Sequence, residues 1–283
     1  MEKVEWTEII SPKVGLFDFK LKEVWRYRDL LVLFVRRDFV ATYKQTILGP
    51  IWHLIQPLLT TIMFLIVFGK IANIPTEGIE PILFYMSNIT IWNYFSACLT
   101  GTSNTFVANA GIFGKVYFPR LVIPLSIVLS NVVKFTIQFL LLLVLIGYYG
   151  FKTSEFYLGI NWLLIPLLLI IMALIGLGAG VIISSLTTKY RDFTVLIGFG
   201  VQLLMYVTPI AYPLSFLETN SKYASVIQYN PLSAVVEGFR FALFNKGNFQ
   251  IHSLVFSIEA TLVLLLIGLF LFNRVERSFM DTV

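Results

Sequence analysis

The sequence predicts an all-α polytopic membrane protein with six transmembrane helices, an N-terminal amphipathic cytoplasmic interface helix and a re-entrant external hairpin between helices 5 and 6. Composition is the first observation: 57% of the 283 residues are hydrophobic and only 13% are charged, against about 25% charged residues in a soluble domain. So few charged side chains cannot cover a soluble globule of this size, which excludes a soluble enzyme and a disordered protein. The other two observations are six separate apolar stretches and a proline-rich aromatic segment before the last of them.

Residues 1–50 form the first predicted domain, a cytoplasmic region with an amphipathic helix at about 22–46. At 100° per residue, one side of this helix is mostly charged and the opposite side is mostly apolar. The charged side carries Lys22, Arg26, Asp29, Arg37 and Lys44, and the other side carries Val24, Leu31, Val35 and Thr42. This pattern is typical of a helix at the membrane surface, with its basic side toward lipid headgroups or toward a partner protein. A hinge is predicted at Leu48, Gly49 and Pro50, because proline disfavours helical geometry in the residue before it.

Residues 51–273 form the second predicted domain, a six-helix transmembrane domain, and residues 274–283 form a short cytoplasmic tail. A spanning helix needs about 20 mostly apolar residues. The six stretches that meet or approach this length lie near 51–70, 81–103, 121–149, 161–187, 193–210 and 252–273.

The distribution of Lys and Arg predicts the orientation of the chain. Six spans place both termini on one side of the membrane, together with the connections after the second and fourth spans. Fifteen of the 21 basic residues fall on that side and five on the other. Because cytoplasmic segments of membrane proteins are enriched in Lys and Arg, both termini are expected in the cytoplasm. The formal charge of +5 therefore reflects orientation and does not indicate a nucleic-acid partner.

The second span is unusually polar for a membrane helix. It carries Ser, Thr and Asn side chains between aromatic residues that include Tyr85, Trp92 and Phe95. The number of polar groups favours a helix that lines a wet passage, and an uncharged, hydroxyl-rich and aromatic lining suits a glycan. The alternative is packing between helices through Ser, Thr and Asn.

Two ionisable residues, Lys134 and Glu259, fall inside predicted spans, where charged residues are usually paired or functional. Both lie at a similar depth in their spans, so we expect a structural ion pair, with a proton relay as the alternative. Gly176 and Gly180 form a Gly-xxx-Gly step in the fourth span, for which close packing within the subunit is the default interpretation.

The segment 208–232 is expected on the external side, yet it is apolar and aromatic. Its prolines divide it into short pieces, of which about 211–219 and 222–229 are predicted to return into the membrane as a hairpin. Irregular backbone survives at that depth only against protein or water. The alternative is an ordinary external loop with interfacial aromatic residues.

Motifs for chemistry are missing from the sequence. The nearest phosphate-loop candidate, residues 110–116, has two residues between its glycines where a Walker A loop has four, and Val116 follows the lysine. One cysteine, Cys98, and two distant histidines, His53 and His252, predict no disulfide and no metal site. We therefore expect a chain that is not an enzyme.

Several short motifs occur in a characteristic order along the predicted spans. They are Leu48-Gly49, Pro50-Ile51-Trp52, Gln56-Pro57, Lys115-Val116-Tyr117-Phe118-Pro119-Arg120, Tyr190-Arg191-Asp192-Phe193 and Tyr229-Asn230-Pro231. In this ordered set, and over almost its whole length, the chain resembles the permease subunit of type-2 ABC exporters. The resemblance is to the polysaccharide group, which exports O antigen, capsule and teichoic acid chains.

The resemblance implies a homodimer of permeases in the plasma (bacterial inner) membrane, paired with two copies of a separate ABC ATPase. ATP and Mg would bind to that partner, so no cofactor is expected in this chain. The implied substrate is a lipid-linked glycan, a polysaccharide on a polyprenyl diphosphate that passes between the two permeases. The implied partners therefore include membrane lipids and exclude nucleic acid.

The resemblance also implies roles for individual residues. The ATPase-coupling residues would be Arg36, Arg37, Lys115, Tyr117, Phe118, Pro119, Arg120, Tyr190, Arg191 and Asp192. The channel would be lined by Trp52, Tyr85, Trp92, Phe95, Phe199 and Tyr206. The external gate would contain Pro209, Tyr212, Pro213, Tyr229, Asn230 and Pro231. Arg36 or Arg37 is expected to attract the lipid diphosphate.

Two other functions stay open at this point. One is a type-2 ABC permease for a drug or a small lipid, which the neighbourhood of the gene would distinguish. The other is a membrane-embedded enzyme that acts on lipid-linked sugar, which would need a carboxylate, histidine or metal cluster that the sequence does not show.

Overall fold

The computed structural model describes residues 21–44, 49–153, 159–190, 192–220 and 224–282. Within these ranges the chain forms twelve α-helices and no strand. The helices are α1 (Leu21–Arg26), α2 (Arg28–Tyr43), α3 (Trp52–Phe64), α4 (Pro81–Thr102), α5 (Thr105–Phe113), α6 (Val122–Thr153), α7 (Leu164–Thr187), α8 (Phe193–Val207), α9 (Leu214–Asn220), α10 (Ala224–Gln228), α11 (Pro231–Phe244) and α12 (Ile251–Thr282). The predicted hinge residue Leu48 and the predicted coupling residue Arg191 lie outside the described residues.

Four helical stretches are long and apolar enough to cross a membrane. They are Gly49–Ile71, Val122–Thr153, Ile160–Thr187 and Ile251–Glu276. These stretches coincide with the first, third, fourth and sixth predicted spans. The first combines a 3₁₀ turn, α3 and the π-helical turns at Leu65–Ile71. The last helix, α12, continues to Thr282 without a break at residue 273.

The second and fifth predicted spans are the helices α4 and α8, which are not among the four stretches that are long and apolar enough to cross a membrane. At 1.5 Å per residue, the 22 residues of α4 extend about 33 Å and the 15 residues of α8 about 22 Å. A bilayer core is about 30 Å thick, so α8 alone is shorter than a straight crossing. The chain continues from α8 into the irregular residues 208–213 and then into the two short helices α9 and α10.

The helix α7 forms the centre of the bundle and packs closely against α4 and α12. A Cβ atom added at Gly176 would lie 2.9 Å from Cβ of Cys98, and one at Gly180 would overlap the Thr102 hydroxyl. Gly268 of α12 approaches α7 equally closely, because a Cβ there would lie 2.8 Å from the Gly178 carbonyl oxygen. Packing within the subunit, the default interpretation of the Gly-xxx-Gly step, is therefore confirmed.

The predicted N-terminal helix is present as α1 and α2, which are separated at Tyr27. α2 packs along α6, and Phe34 of α2 is buried. After α2 the chain changes direction at the predicted hinge, where Gly49 has a φ of 49°. This left-handed conformation is one that glycine adopts without steric cost.

Candidate functional site

An aromatic cluster joins three elements at one end of the bundle, which we call the basic end. The Phe118 ring lies 5.8 Å from the Phe34 ring of α2 and 5.8 Å from the Phe113 ring of α5. Arg120 donates a hydrogen bond of 2.7 Å to the Glu276 carbonyl of α12, and its guanidinium lies over the Phe113 ring. The 114–120 connection therefore fastens α2 to the C-terminal part of α12.

The predicted coupling residues divide into buried and exposed members. Phe118 and Pro119 are buried, and Arg120 is half-buried. The members with exposed side chains are Arg36, Arg37, Lys115, Tyr117, Tyr190 and Asp192. The buried members hold the basic end together, whereas the exposed members form the surface that another protein can reach.

The predicted gate segment lies at the opposite end of the bundle and contains two short helices, α9 and α10. Asn230 caps the start of α11, because its side-chain oxygen accepts a hydrogen bond of 3.1 Å from the Leu232 amide. The same side chain donates to the Thr208 hydroxyl at 3.1 Å, so the start of α11 is held at the end of α8. The Tyr212 hydroxyl donates to the Tyr206 carbonyl at 2.6 Å and closes the turn after α8.

The other predicted gate residues differ in burial. Pro209 and Pro213 are buried, and Pro231 is half-buried. Tyr229 is exposed, with the edge of its ring against the Phe256 ring of α12 at 5.8 Å.

Three charged residues, two of them buried, lie beneath the gate segment. The Arg240 side chain is fully buried and forms an ion pair with Glu237, one turn earlier in α11. A second carboxylate, that of Glu77 in the loop before α4, lies 3.7 Å from the same guanidinium. The guanidinium also lies over the Phe84 ring of α4, 4.6 Å from its centroid.

This charge cluster holds the first part of the gate segment through hydrogen bonds. Glu237 accepts from the Leu214 amide at 3.1 Å, and Glu77 accepts from the Ser215 hydroxyl at 2.6 Å. Arg240 donates to the Pro209 carbonyl at 3.3 Å. Residues 209–215 are thus tied to α11 and to the loop before α4.

The six predicted channel aromatics also separate into two groups. Tyr85, Trp92 and Phe95 are buried inside the protomer, with at most 4% of each residue exposed, although Phe95 lines an apolar groove between α4, α7 and α8. By contrast, Trp52 of α3 and Phe199 and Tyr206 of α8 are more than half exposed. The exposed group is the one that a passage outside this protomer would contact directly, and the lining role of all six residues stays a prediction.

Many polar residues of α4 bond to their own helix. The hydroxyls of Ser87, Thr90 and Thr102 are buried and donate to carbonyls three or four residues earlier. Of the three, Thr102 also contacts another helix, the Gly176 carbonyl of α7 at 3.4 Å, as the packing alternative predicts. Asn93 and Ser96 differ, because they line a cavity of about 240 Å³ between α3, α4 and α6.

The predicted ion pair between Lys134 and Glu259 is absent, and that prediction is wrong for this chain. Glu259 is exposed on α12, whereas Lys134 of α6 faces a cavity beside Asp38 of α2. Similar depth along two helices does not determine the side toward which each residue projects. α12 packs against α7 and α11, and α6 packs against α2 and α4, so the two residues face different neighbours.

A family model described as "ABC-2 type transporter" matches residues 29–244, which is most of the chain. The chain belongs to the ABC-2 type transporter family. The match begins in α2 and ends with α11, so it includes the gate segment and the aromatic cluster of the basic end of this ABC-2 chain.

Three curated relatives are similar to the ABC-2 chain over nearly all of its length. An O-antigen export system permease protein RfbA of Klebsiella pneumoniae is 28% identical over 89% of this chain and 94% of its own. A protein of the same name from Myxococcus xanthus is 25% identical, over 87% and 92%. The polysialic acid transport protein KpsM of Escherichia coli is 23% identical, over 87% and 93%.

The buried charges of the ABC-2 chain are the main feature that the sequence analysis missed. Arg240 is one of the five basic residues that the sequence places on the external side, and the sequence motifs indicate no role for Glu77 or Glu237. One signal was present in the sequence: Glu237 and Arg240 are three residues apart in an apolar segment, a spacing that places both on one face of a helix.

Proposed function

We propose that the chain is the transmembrane permease subunit of an ATP-driven exporter. It would move a polyprenyl-diphosphate-linked polysaccharide of the O-antigen, capsule or teichoic acid type across the plasma membrane. The observation that carries this proposal is the similarity to O-antigen and polysialic acid transport proteins over 87–89% of the chain.

The proposed assembly contains two permeases and two copies of a separate ABC ATPase, which binds ATP and Mg. Family membership supports the ATPase partner. Within each permease, α4 and α8 would join the four long apolar stretches to give six spans, with both termini in the cytoplasm. A topology map with cysteine labelling at introduced surface positions tests this arrangement, and an external C-terminus would contradict it.

ATP binding to the partner would act on the basic end. The exposed residues Tyr117 and Tyr190 offer aromatic contacts for that partner. Because Phe118 packs on Phe34 and Arg120 bonds to α12, a push on the 114–120 connection would move α2 and α12 together. This rigid link would carry the motion from the ATPase into the membrane helices.

The polymer would pass between the two permeases, along the exposed aromatic residues Trp52, Phe199 and Tyr206. Aromatic faces stack on sugar rings through contacts that exchange easily, which allows a chain to slide. The gate segment would close the external end. Two observations support its re-entrant position. α8 is shorter than a straight crossing, and the Pro231 carbonyl at the end of the segment accepts a hydrogen bond from the Ser257 hydroxyl, six residues after the start of α12.

The drug or small-lipid alternative has no comparable support, because the relatives described above carry the names of polysaccharide transport proteins. The deciding experiment is co-expression of the chain with the ATPase encoded beside it, followed by purification and reconstitution in liposomes. We expect a stable complex whose ATP hydrolysis increases with a lipid-linked glycan and not with drug-like amphiphiles. A complex that responds only to amphiphiles, or no complex, would refute the proposal.

A further inference from the structure

A polar space made of two neighbouring cavities lies among α2, α3, α4 and α6. A cavity of about 380 Å³ separates α2 from α6, and the cavity of about 240 Å³ described above adjoins it. Both are lined by Asn131 and Lys134, so they meet at this pair of residues. Their combined size is within the range of small-molecule sites, about 300–1,000 Å³.

The Lys134 ammonium carries a charge that the protein does not neutralise directly. Across the described ranges, the ion pairs do not include Lys134. Asp38 lines the same cavity and attracts the ammonium without a direct ion pair, because its Oδ1 atom accepts hydrogen bonds of 2.8 and 2.9 Å from the Arg37 guanidinium. An unpaired ammonium within a membrane protein is costly, so this position favours an anion from outside the protein.

Neutral hydrogen-bonding groups surround the ammonium. The Ser130 hydroxyl is buried and makes no hydrogen bond, and the Asn131 amide makes only a 4.0 Å contact with the Cys98 sulfur. Farther into the space, the Asn93 amide donates to Gln138 at 3.3 Å. One ammonium with amide and hydroxyl donors is a suitable set for phosphate oxygens, and the amides beyond it suit sugar hydroxyls.

We propose that Lys134 binds a phosphate oxygen of the lipid-linked glycan's diphosphate, with Ser130 and Asn131 donating hydrogen bonds beside it. This inference rests on the proposed function and adds a location, a headgroup site within one permease between α2, α3, α4 and α6. The sugars nearest to the diphosphate then contact Asn93 and Gln138. Arg36 or Arg37 is the residue expected from the sequence for this role, and the Arg37 guanidinium bonds to Asp38.

The same phosphate chemistry occurs in membrane phospholipids, so the test must separate the two sources. The full-length chain is placed in nanodiscs of phosphatidylcholine, and binding of fluorescent undecaprenyl diphosphate is measured. Undecaprenol is the competitor without phosphate, and phosphatidylglycerol is the phospholipid competitor. We expect the diphosphate to compete at least about tenfold better than either.

The variants test the ammonium itself. Lys134→Gln is expected to weaken the Kd for undecaprenyl diphosphate about tenfold or more, because it removes a charge-assisted hydrogen bond. Lys134→Arg keeps the charge and is expected to retain most of the affinity. Lys70→Gln, a matched change at an exposed lysine of the first apolar stretch, should leave the Kd unchanged.

Two results on the unaltered chain would overturn the inference whether or not the variants fold. One is equal competition by undecaprenol and undecaprenyl diphosphate on the unaltered chain, and the other is equal competition by phosphatidylglycerol. A folded Lys134→Gln variant with the Kd of the unaltered chain would also overturn it. Glycan export by the unaltered chain with its ATPase is measured in parallel, so that a failed headgroup site is distinguished from a failed export function.

Discussion

At the scale of single residues, the charge cluster under the gate segment determines what each member can tolerate. Arg240 is fully buried between Glu237 and Glu77. Its charge offsets two carboxylates that would otherwise face each other in an apolar interior. Removal of one member of a buried ion pair costs about 3–5 kcal/mol, because the other charge is left without compensation.

We therefore predict that Arg240→Met destabilises the protein by about 3–5 kcal/mol. The double variant Glu237→Gln/Arg240→Met should recover part of the loss, because it also removes a carboxylate. Thermal unfolding of the purified protein in detergent measures both changes. Arg274→Met, at an exposed position of α12, is the matched control. An Arg240→Met protein that unfolds at the control temperature would contradict this assignment.

The position of Lys134 within its helix could be predicted from the sequence, whereas the residues around it could not. Lys134 lies inside a helix of the bundle, as predicted, but the prediction of Glu259 as its partner rests on depth alone. Depth follows from counting residues along a helix, whereas the facing neighbour depends on how helices pack, which one sequence does not define. For the same reason the ring positions of Trp92 and Phe95 were predicted for a channel and are buried instead.

At the scale of helices, close contact across glycines determines the geometry of the bundle. A Cβ at position 180 has no free space, because it would overlap the Thr102 side chain. Position 147 in α6 is also a helical glycine, but a Cβ there would meet no atom within 4 Å.

Gly180→Ala is predicted to destabilise the protein by about 1–3 kcal/mol, because α4 and α7 must move apart. Gly147→Ala is expected to be neutral or to stabilise α6 by up to about 1 kcal/mol, because alanine favours helices. Unfolding midpoints of the two variants under identical detergent conditions give the comparison. Equal midpoints would show that the contact between α4 and α7 tolerates an added methyl group.

The connection at 114–120 has a stabilising side and an exposed side, which gives a second prediction at this scale. Tyr117→Ala should weaken association with the ATPase about tenfold, as expected for loss of an aromatic interface residue, with thermal stability unchanged. The control is Tyr148→Ala, because Tyr148 is also an exposed tyrosine but lies on α6. Quantitative co-purification measures the association, and equal retention of ATPase by both variants would remove Tyr117 from the coupling surface.

The positions of the long helices were predictable from sequence, and α11 was not. The four apolar stretches stand out because each has at least 23 residues. By contrast, α11 has only 14 residues and includes two charged side chains, so it has neither the length nor the composition of a span. Its helical structure depends on burial against α4, α7 and α12, which is a property of the folded chain.

At the scale of the whole molecule, the exposed aromatic residues of α3 and α8 indicate where a second permease would face the first. Phe199 is 60% exposed on α8, whereas Val144 is 68% exposed on α6, on a different helix of the bundle. The one cysteine, Cys98, is buried, so a Cys98→Ala chain provides a background without thiols.

In that background, Phe199→Cys is predicted to cross-link two permeases with a short bis-maleimide in native membranes, because two copies of α8 would line one passage. Val144→Cys should remain monomeric under the same treatment. Denaturing gels give the ratio of dimer to monomer. Comparable dimer from both variants would indicate random collision and contradict the proposed interface.

The ties of residues 209–215 also constrain how this protein can be recombined with its relatives. The gate segment is contiguous in sequence, but its anchoring groups come from Glu77 and from α11. A chimaera that exchanges only residues 208–230 would separate the hydrogen-bonding backbone from the carboxylates and guanidinium that hold it. The smallest exchangeable unit is therefore discontinuous, and it comprises the loop at 72–80 together with residues 208–244.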